Sequence, residues 1–239
     1  MSGHSKWAKI KRGKAVEDAR RGAVFTKLGN AIAVAAKTGG DPDMNPALAL
    51  AIQKAKEANM PHANIDRSIK RGTGELGGNA IEEMMYEGYG PAGIAVIVEC
   101  ASDNRNRTSS EVRAVFSKNG GNMAENGAVS FQFDHKGVIE AAKSGDDDAD
   151  QMAVIDAGAD DVVDEGDSWT IYTDHKALHE VKKSLESAGL KISEASLAYV
   201  PQNVVNIIDE SEKAKVMKFM DAMEELDDVV ETYSNFEIA

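Results

Sequence analysis

KGVIEAAKSGDDDADQMAVIDAGADDVVDEGDSWTIYTDHKALHEVKKSLESAGLKISEASLAYV, residues 136–200, switches between two apolar spacings, and the order of the switches decides the fold. Val138 and Ile139 mark a strand, 148–157 a helix, Val162 and Val163 a strand, 169–172 a strand, 175–188 a helix and 192–199 a strand. Strand, helix, strand, strand, helix, strand is the split βαβ of ferredoxin-like domains. The acidic run Asp146, Asp147, Asp148 and Asp150 opens the first helix, where carboxylates complement the positive end of the helix.

On the C-terminal side come a strand at 204–208, a helix at 212–226 with Val216, Phe219, Met220 and Met223 on one face, and a closing strand at 229–236. About 35 residues bury too little surface to stand alone. On the N-terminal side, a strand at 94–100, a helix at 108–118 ended by Gly120-Gly121 and a strand at 128–133 leave a half-built α/β unit. The two flanks are therefore expected to join. Residues 79–133 with 203–239 form a discontinuous middle domain, and residues 134–202 are a ferredoxin-like domain inserted into it.

Residues 1–78 make a third unit, a basic arm followed by a helical bundle. Val24, Leu28, Ile32 and Ala35 recur at helical spacing before Gly39-Gly40; Asn45-Pro46 is an N-cap with proline in the first turn of a second helix carrying Leu48, Ile52 and Ala55. Pro61 restarts a third helix with Ile65 and Ile69, which Gly72 is expected to close in the left-handed conformation; GTGELGGN, 72–79, reads as a linker. The fold class is α+β and multidomain: an N-terminal three-helix domain plus two α/β domains, one a ferredoxin-like insertion in the other.

The chain has 239 residues, 42% hydrophobic, with aromatics at 5% and ten methionines, so its cores rest on aliphatic packing. Cys100 is the single cysteine, which excludes an internal disulfide; inside an apolar run it reads as a small buried hydrophobe. No window approaches the roughly 20 apolar residues of a membrane span, and the basic start lacks the apolar core of a signal peptide. A cytoplasmic protein is expected.

Net charge is -13, but its distribution is uneven. Residues 1–72 carry 14 Lys and Arg against 6 Asp and Glu, whereas the rest carries 13 against 34. A chain segregated in this way offers one end to phosphates and keeps the remainder away from them. Lys6, Lys9, Lys11, Arg12, Lys14, Arg20, Arg21 and Lys27 are interleaved with Trp7 and Phe25, against only Glu17 and Asp18 in the same span. Such a set follows a phosphate backbone and releases counterions on binding. Trp7 either stacks on an exposed base or anchors the arm to the bundle. In the third helix Arg67, Lys70 and Arg71 extend the basic character, suited to backbone rather than base contact.

Asp103-Asn104-Arg105-Asn106-Arg107-Thr108 lies where the first middle-domain strand turns into its helix. Asn106 or Thr108 is the expected cap, and Arg105 and Arg107 are placed to hold phosphate near that helix N-terminus. Other patterns fail on context. Two matches to G-x-G-x-x-G, at Gly72, Gly74, Gly77 and at Gly88, Gly90, Gly93, do not lie between a strand and a helix and read as turns. His175 and His179 share a helix face without a glutamate base or third ligand, and the aspartate run has Gln151 and Ala157 where a calcium loop needs Gly and Glu. No nucleophile elbow or Cys-His arrangement occurs, so no catalysis and no cofactor are expected.

GHSKWAKIKRGKAVEDARRGAVFTK at 3–27, GGDP at 39–42, NMPHANIDRSIKRGTGE at 59–75, EGYGPAGIAVIVE at 87–99, DNRNRT at 103–108 and KNGGNMAENGAVSFQF at 118–133 closely resemble the YebC/PmpR family over essentially the whole chain. The resemblance implies a three-domain protein, helical then α/β, without catalysis or cofactor. It implies a DNA-binding transcriptional regulator, with a ribosome-associated translation factor that contacts rRNA or tRNA and relieves stalling at proline-rich sequences as the alternative. Gly29-Asn30 stand where relatives tend to carry Arg-Glu, and Ala47 and Ala49 often replace arginines. The expected partner is nucleic acid, with neither membrane nor small-molecule substrate.

Overall fold

A computed structural model describes residues 18–77 and 79–238; for 18–21 only the backbone is described. Three helices come first: α1 (Asp18–Ala35), α2 (Pro46–Glu57) and α3 (His62–Gly72). Asn45 caps α2 as expected, accepting Leu48 N–H at 3.1 Å while its amide donates to the carbonyls of Ala35 and Gly39. Ile32, Ala36, Leu48, Ile52, Ala55 and Ile65 close the core of this bundle.

Gly72 is not the left-handed terminator that its position suggests. It is the last helical residue of α3, and the positive φ falls on Gly74 (+83°). The constraint on Gly72 is proximity, because a Cβ there would lie 2.2 Å from the Ala33 carbonyl oxygen of α1. Only glycine lets α3 approach α1 this closely.

The middle domain contributes β1 (Glu82–Tyr89), β2 (Ala95–Ser102), α4 (Arg105–Lys118) and β3 (Asn122–Ala124) before the insertion, and β8 (Val205–Ile207), α7 (Glu210–Glu224), β9 (Val229–Ser234) and β10 (Phe236–Ile238) after it. Its antiparallel sheet runs β3-β1-β2-β9, so β9 from the C-terminal segment zips onto β2 from the N-terminal one. Phe116 of α4 and Phe219 of α7 meet beneath, ring centres 5.2 Å apart, within a core shared by both segments. Asn235 interrupts the closing strand: its side chain accepts Ala95 N–H at 2.8 Å, and its carbonyl accepts Val205 N–H, which hands the chain on to the parallel pair β8 and β10.

The inserted unit is β4 (Phe133–Ala142), α5 (Asp147–Asp156), β5 (Asp161–Asp164), β6 (Ser168–Asp174), α6 (Leu178–Ser187) and β7 (Lys191–Pro201). Its all-antiparallel order β5-β6-β4-β7 is the ferredoxin-like arrangement. One face packs Ile139, Trp169, Ile171 and Ala195 under Val154 of α5 and Val181 and Leu185 of α6. Val138, Tyr172 and Ala198 pack against Ala95, Ile97 and Tyr233 of the middle sheet. The aspartate run behaves as a helix start: Asp146 caps Ala149 N–H, and buried Asp150 accepts Trp169 Nε1–H at 3.0 Å.

Three strand expectations need correction. β1 occupies 82–89, where no element is expected and Gly88 reads as a turn, and β3 is a short strand, also unexpected, on the sheet edge. Residues 128–132 form a turn and a short 3₁₀ segment instead of a strand, with the strand starting at Phe133. The cause is Glu87, 1% exposed, whose carboxylate accepts the N–H groups of Gly127, Val129 and Ser130 at 2.8–2.9 Å. Burial alone would raise its pKa, but these backbone donors outweigh it and hold the group below 4.5.

Two outcomes are expected. Gly72→Ala lowers stability by about 2 kcal/mol or more in urea unfolding, because the clash is with backbone that cannot rotate away. Since the folded pKa of Glu87 is depressed, its clamp stabilises fully above pH 4.5 and is lost as pH falls through the folded value. Urea midpoints measured between about pH 3 and 6 should fall more steeply for the wild type than for Glu87→Gln.

Candidate nucleic-acid interface

Of the candidate binding residues that the sequence singles out, Lys6, Trp7, Lys9, Lys11, Arg12 and Lys14 lie outside the described residues. Arg20 and Arg21 fall in the first turns of α1. The six others are placed, and they divide evenly. Lys27 donates through Nζ to the Glu224 carbonyl, and Arg71 donates through Nη1 to Asn30 Oδ1 at 3.0 Å. Arg107 is held by Asp228. Arg67 and Lys70 instead stand exposed on α3, on the side away from buried Ile65, and the Arg105 side chain is 67% exposed with Glu82 no nearer than 3.9 Å.

Gly29 and Asn30, the departures from the basic-acidic pair of relatives, face inward. A Cβ on Gly29 would come within 2.9 Å of Ser68 Oγ on α3, and Asn30 is buried against Arg71. Ala47 and Ala49 are exposed. Among the candidate residues with described side chains, the exposed cations of the bundle, Arg67 and Lys70, therefore lie on α3.

The DNRNRT turn is built differently from the expectation. Asn104, not Asn106 or Thr108, caps α4 by accepting Arg107 N–H at 3.1 Å. Thr108 is buried, and its hydroxyl donates to Asp228 Oδ2 at 2.7 Å. Ser102 Oγ donates to the same oxygen at 2.9 Å, and Arg107 reaches both carboxylate oxygens through Nη2 at 2.9 and 3.0 Å, with Nε at 3.2 Å from Oδ2. Asp228 sits in the turn between α7 and β9, so this carboxylate ties both ends of the discontinuous domain. The pairing raises the Arg107 pKa further, through the hydrogen bond and charge of Asp228.

Arg71 and Arg107 line one crevice of about 560 Å³ between α1, α3 and the middle domain, together with Asp103, Glu111, Glu225, Asp227 and Asp228. Acids outnumber the arginines there. A phosphate entering would meet net repulsion, so the placement favours a structural ion pair for Arg107 and leaves Arg105 as the outward arginine of the turn. Asp228 lies 121 residues from Arg107 in the chain, and no local signal pointed to it.

No second chemistry emerges around these residues. Cys100 is buried and its thiol is pushed up to about 12, chiefly by burial, which keeps it protonated. His175 stacks on His135 with centroids 4.9 Å apart, and among the described residues no group of three or more His, Cys, Asp or Glu is placed to hold a metal. No helix among them is long and apolar enough to cross a membrane.

Asp228→Ala should cost about 2 kcal/mol or more in urea unfolding, because it strands an arginine and two buried hydroxyls. Arg105→Ala should change stability by no more than about 0.5 kcal/mol in the same assay.

Comparison with known proteins places this architecture. Residues 5–75 match the family model for the TACO1/YebC protein N-terminal domain, and residues 81–236 match that for the TACO1/YebC second and third domain. A "probable transcriptional regulatory protein" of Halothermothrix orenii is 54% identical over 242 residues, spanning 100% of this chain and 96% of the relative. One of the same description from Persephonella marina is 52% identical, spanning 100% and 97%. The crystal structure of a conserved hypothetical protein, Aq1575 from Aquifex aeolicus, superposes with a TM-score of 0.87 at 47% identity, over 98% of this chain and 97% of that one. With two family models that together span nearly the whole chain and relatives more than 50% identical end to end, the chain belongs to the TACO1/YebC family.

Proposed function

We propose that this protein is a non-enzymatic regulator of gene expression that works in the cytoplasm and binds DNA through its basic N-terminal region. The observation that carries the reading is the charge asymmetry: eight cationic side chains against two acids within the first 27 residues of a chain whose net charge is -13. Relatives described as probable transcriptional regulatory proteins support it.

The described residues refine the mode of binding. Arg67 and Lys70 present cationic side chains on the exposed side of α3, while Lys27, Arg71 and Arg107 make internal contacts. Point charges on a helix surface such as Arg67 and Lys70 suit phosphate contact. Binding should therefore be strongly salt-dependent and only modestly selective for sequence. The acidic body prevents the rest of the molecule from lying along the same polyanion.

Reversing Lys9, Lys11, Arg12 and Lys14 to glutamate should weaken binding to duplex DNA and flatten the slope of log K against log salt by roughly 0.9 per lost phosphate contact, with thermal unfolding unchanged. Unchanged affinity would overturn the role of the arm. Gradient sedimentation of lysate, with and without DNase, separates the two possible polyanions. Nuclease-resistant co-migration with ribosomes, together with weak duplex binding at physiological salt, would replace DNA by ribosomal or transfer RNA.

A further inference from the structure

The inserted sheet ends in two unlike edges. β5, at one end, is four residues long with Asp161 and Asp164 at its termini, a short acidic strand of the kind that discourages further pairing. β7, at the other end, runs for eleven residues and pairs with β4 along one side, and no strand among the described residues pairs with its other side. Its stretch Glu194-Ala195-Ser196-Leu197 carries neither proline nor lysine. An edge of this length presents a row of N–H and C=O groups to any extended chain beside it.

That stretch opens on a cavity of about 900 Å³ where the inserted domain, the helical bundle and the middle sheet meet. All four of its residues line the cavity, and Leu28 of α1, Leu50 of α2 and Val230 of β9 contribute apolar walls. The Tyr233 hydroxyl, which reaches Glu99 Oε2 at 3.0 Å, lies 3.5 Å from the Leu197 carbonyl oxygen. Tyr233 belongs to β9 and lines the cavity, so this carbonyl points away from β4 and toward the open space. Backbone groups alternate in direction along an antiparallel strand, so those of Ala195 share the edge of Leu197.

Charge selects no ion here, because Lys54, Lys176 and Lys182 are matched by Glu99, Glu194 and Glu231 around the lining. Lys54 lies 3.6 Å from Glu194, and Lys182 donates to Gln53 Oε1 at 3.3 Å. Both contacts join α2 to the inserted domain through long side chains of the weak, displaceable kind. What the cavity offers is a strand edge beside apolar walls. Extended polypeptide matches both, since its N–H and C=O groups repeat at the spacing of the edge and its alternate side chains turn to the walls. Four extended residues span roughly 13 Å, the length of the 194–197 stretch itself.

We propose that the open edge of β7 binds an extended, uncharged peptide segment of another protein, which adds to the inserted sheet as a fifth strand and places apolar side chains against Leu28, Leu50 and Val230. Recognition is by backbone and apolar contact. The site uses none of the residues assigned to nucleic acid, so its test is independent of that reading.

Isothermal titration of the full chain with the peptide acetyl-Thr-Val-Thr-Val-Thr-amide should show saturable binding at one site per chain, with the same affinity at low and high salt. The analogue N-methylated at every backbone nitrogen keeps the side chains and loses the donors; it should bind about tenfold more weakly or worse. In the wild-type chain, hydrogen exchange followed by NMR should slow at the Ala195 and Leu197 amides when the peptide is added. Leu50→Trp should fill the cavity and abolish binding. No saturable binding, equal affinity for the N-methylated analogue, or binding that leaves exchange at Ala195 and Leu197 unaltered would each overturn the proposal. Dimerisation of the free chain that protects the same two amides would assign the edge to a second copy and overturn it as well.

Discussion

Burial of β2 on both faces of its sheet is the constraint on which the rest of the molecule depends. Val96, Val98 and Cys100 point into the core under α4 and α7, while Ala95, Ile97 and Ala101 receive the inserted domain and α1 on the other side. Antiparallel sheets commonly leave one face to water. Here neither face is free, and the strand accordingly reads as a near-continuous apolar run. The small side chains on the outer face let two modules approach the backbone closely, and the single charged exception, Glu99, marks the place where they part.

Lateral contacts then lock what the sheet positions. Asp228 gathers the hydroxyls of Ser102 and Thr108 and the guanidinium of Arg107 at one end of the middle domain. Glu87 gathers three backbone N–H groups where the chain leaves for the insertion. Each is a buried carboxylate provided with several donors, the condition under which burying a charge is tolerated. Together they convert two segments of irregular chain into fixed joints between modules, with arginine and glutamate of recognisable motifs serving architecture.

Much of the fold was legible in the sequence because apolar periodicity is strong where elements are long. The ferredoxin-like order, the cap at Asn45 and the helix rich in Met and Phe, α7, all followed from spacing. β1 was not legible: EEMMYEGY carries three glutamates and a glycine, and its apolar residues are distinguished only once β2 and β3 lie beside it. The run at 128–133 has the composition of a strand, and a carboxylate 40 residues away bends its start into a turn. For the interface, spacing found the basic residues but not their partners. Lys27, Arg71 and Arg107 are satisfied by Glu224, Asn30 and Asp228, contacts that exist only in three dimensions.

The pairing of Phe133 with Pro201 brings entry to and exit from the inserted domain side by side, and β9, which completes the middle sheet, follows the insertion in the chain. During synthesis the insertion can close on itself while β2 still waits with one edge open and half its core missing. The middle domain is thus completed only after the insertion has been made, and a chain cut before Val229 would present an unpaired apolar strand to whatever lies nearby.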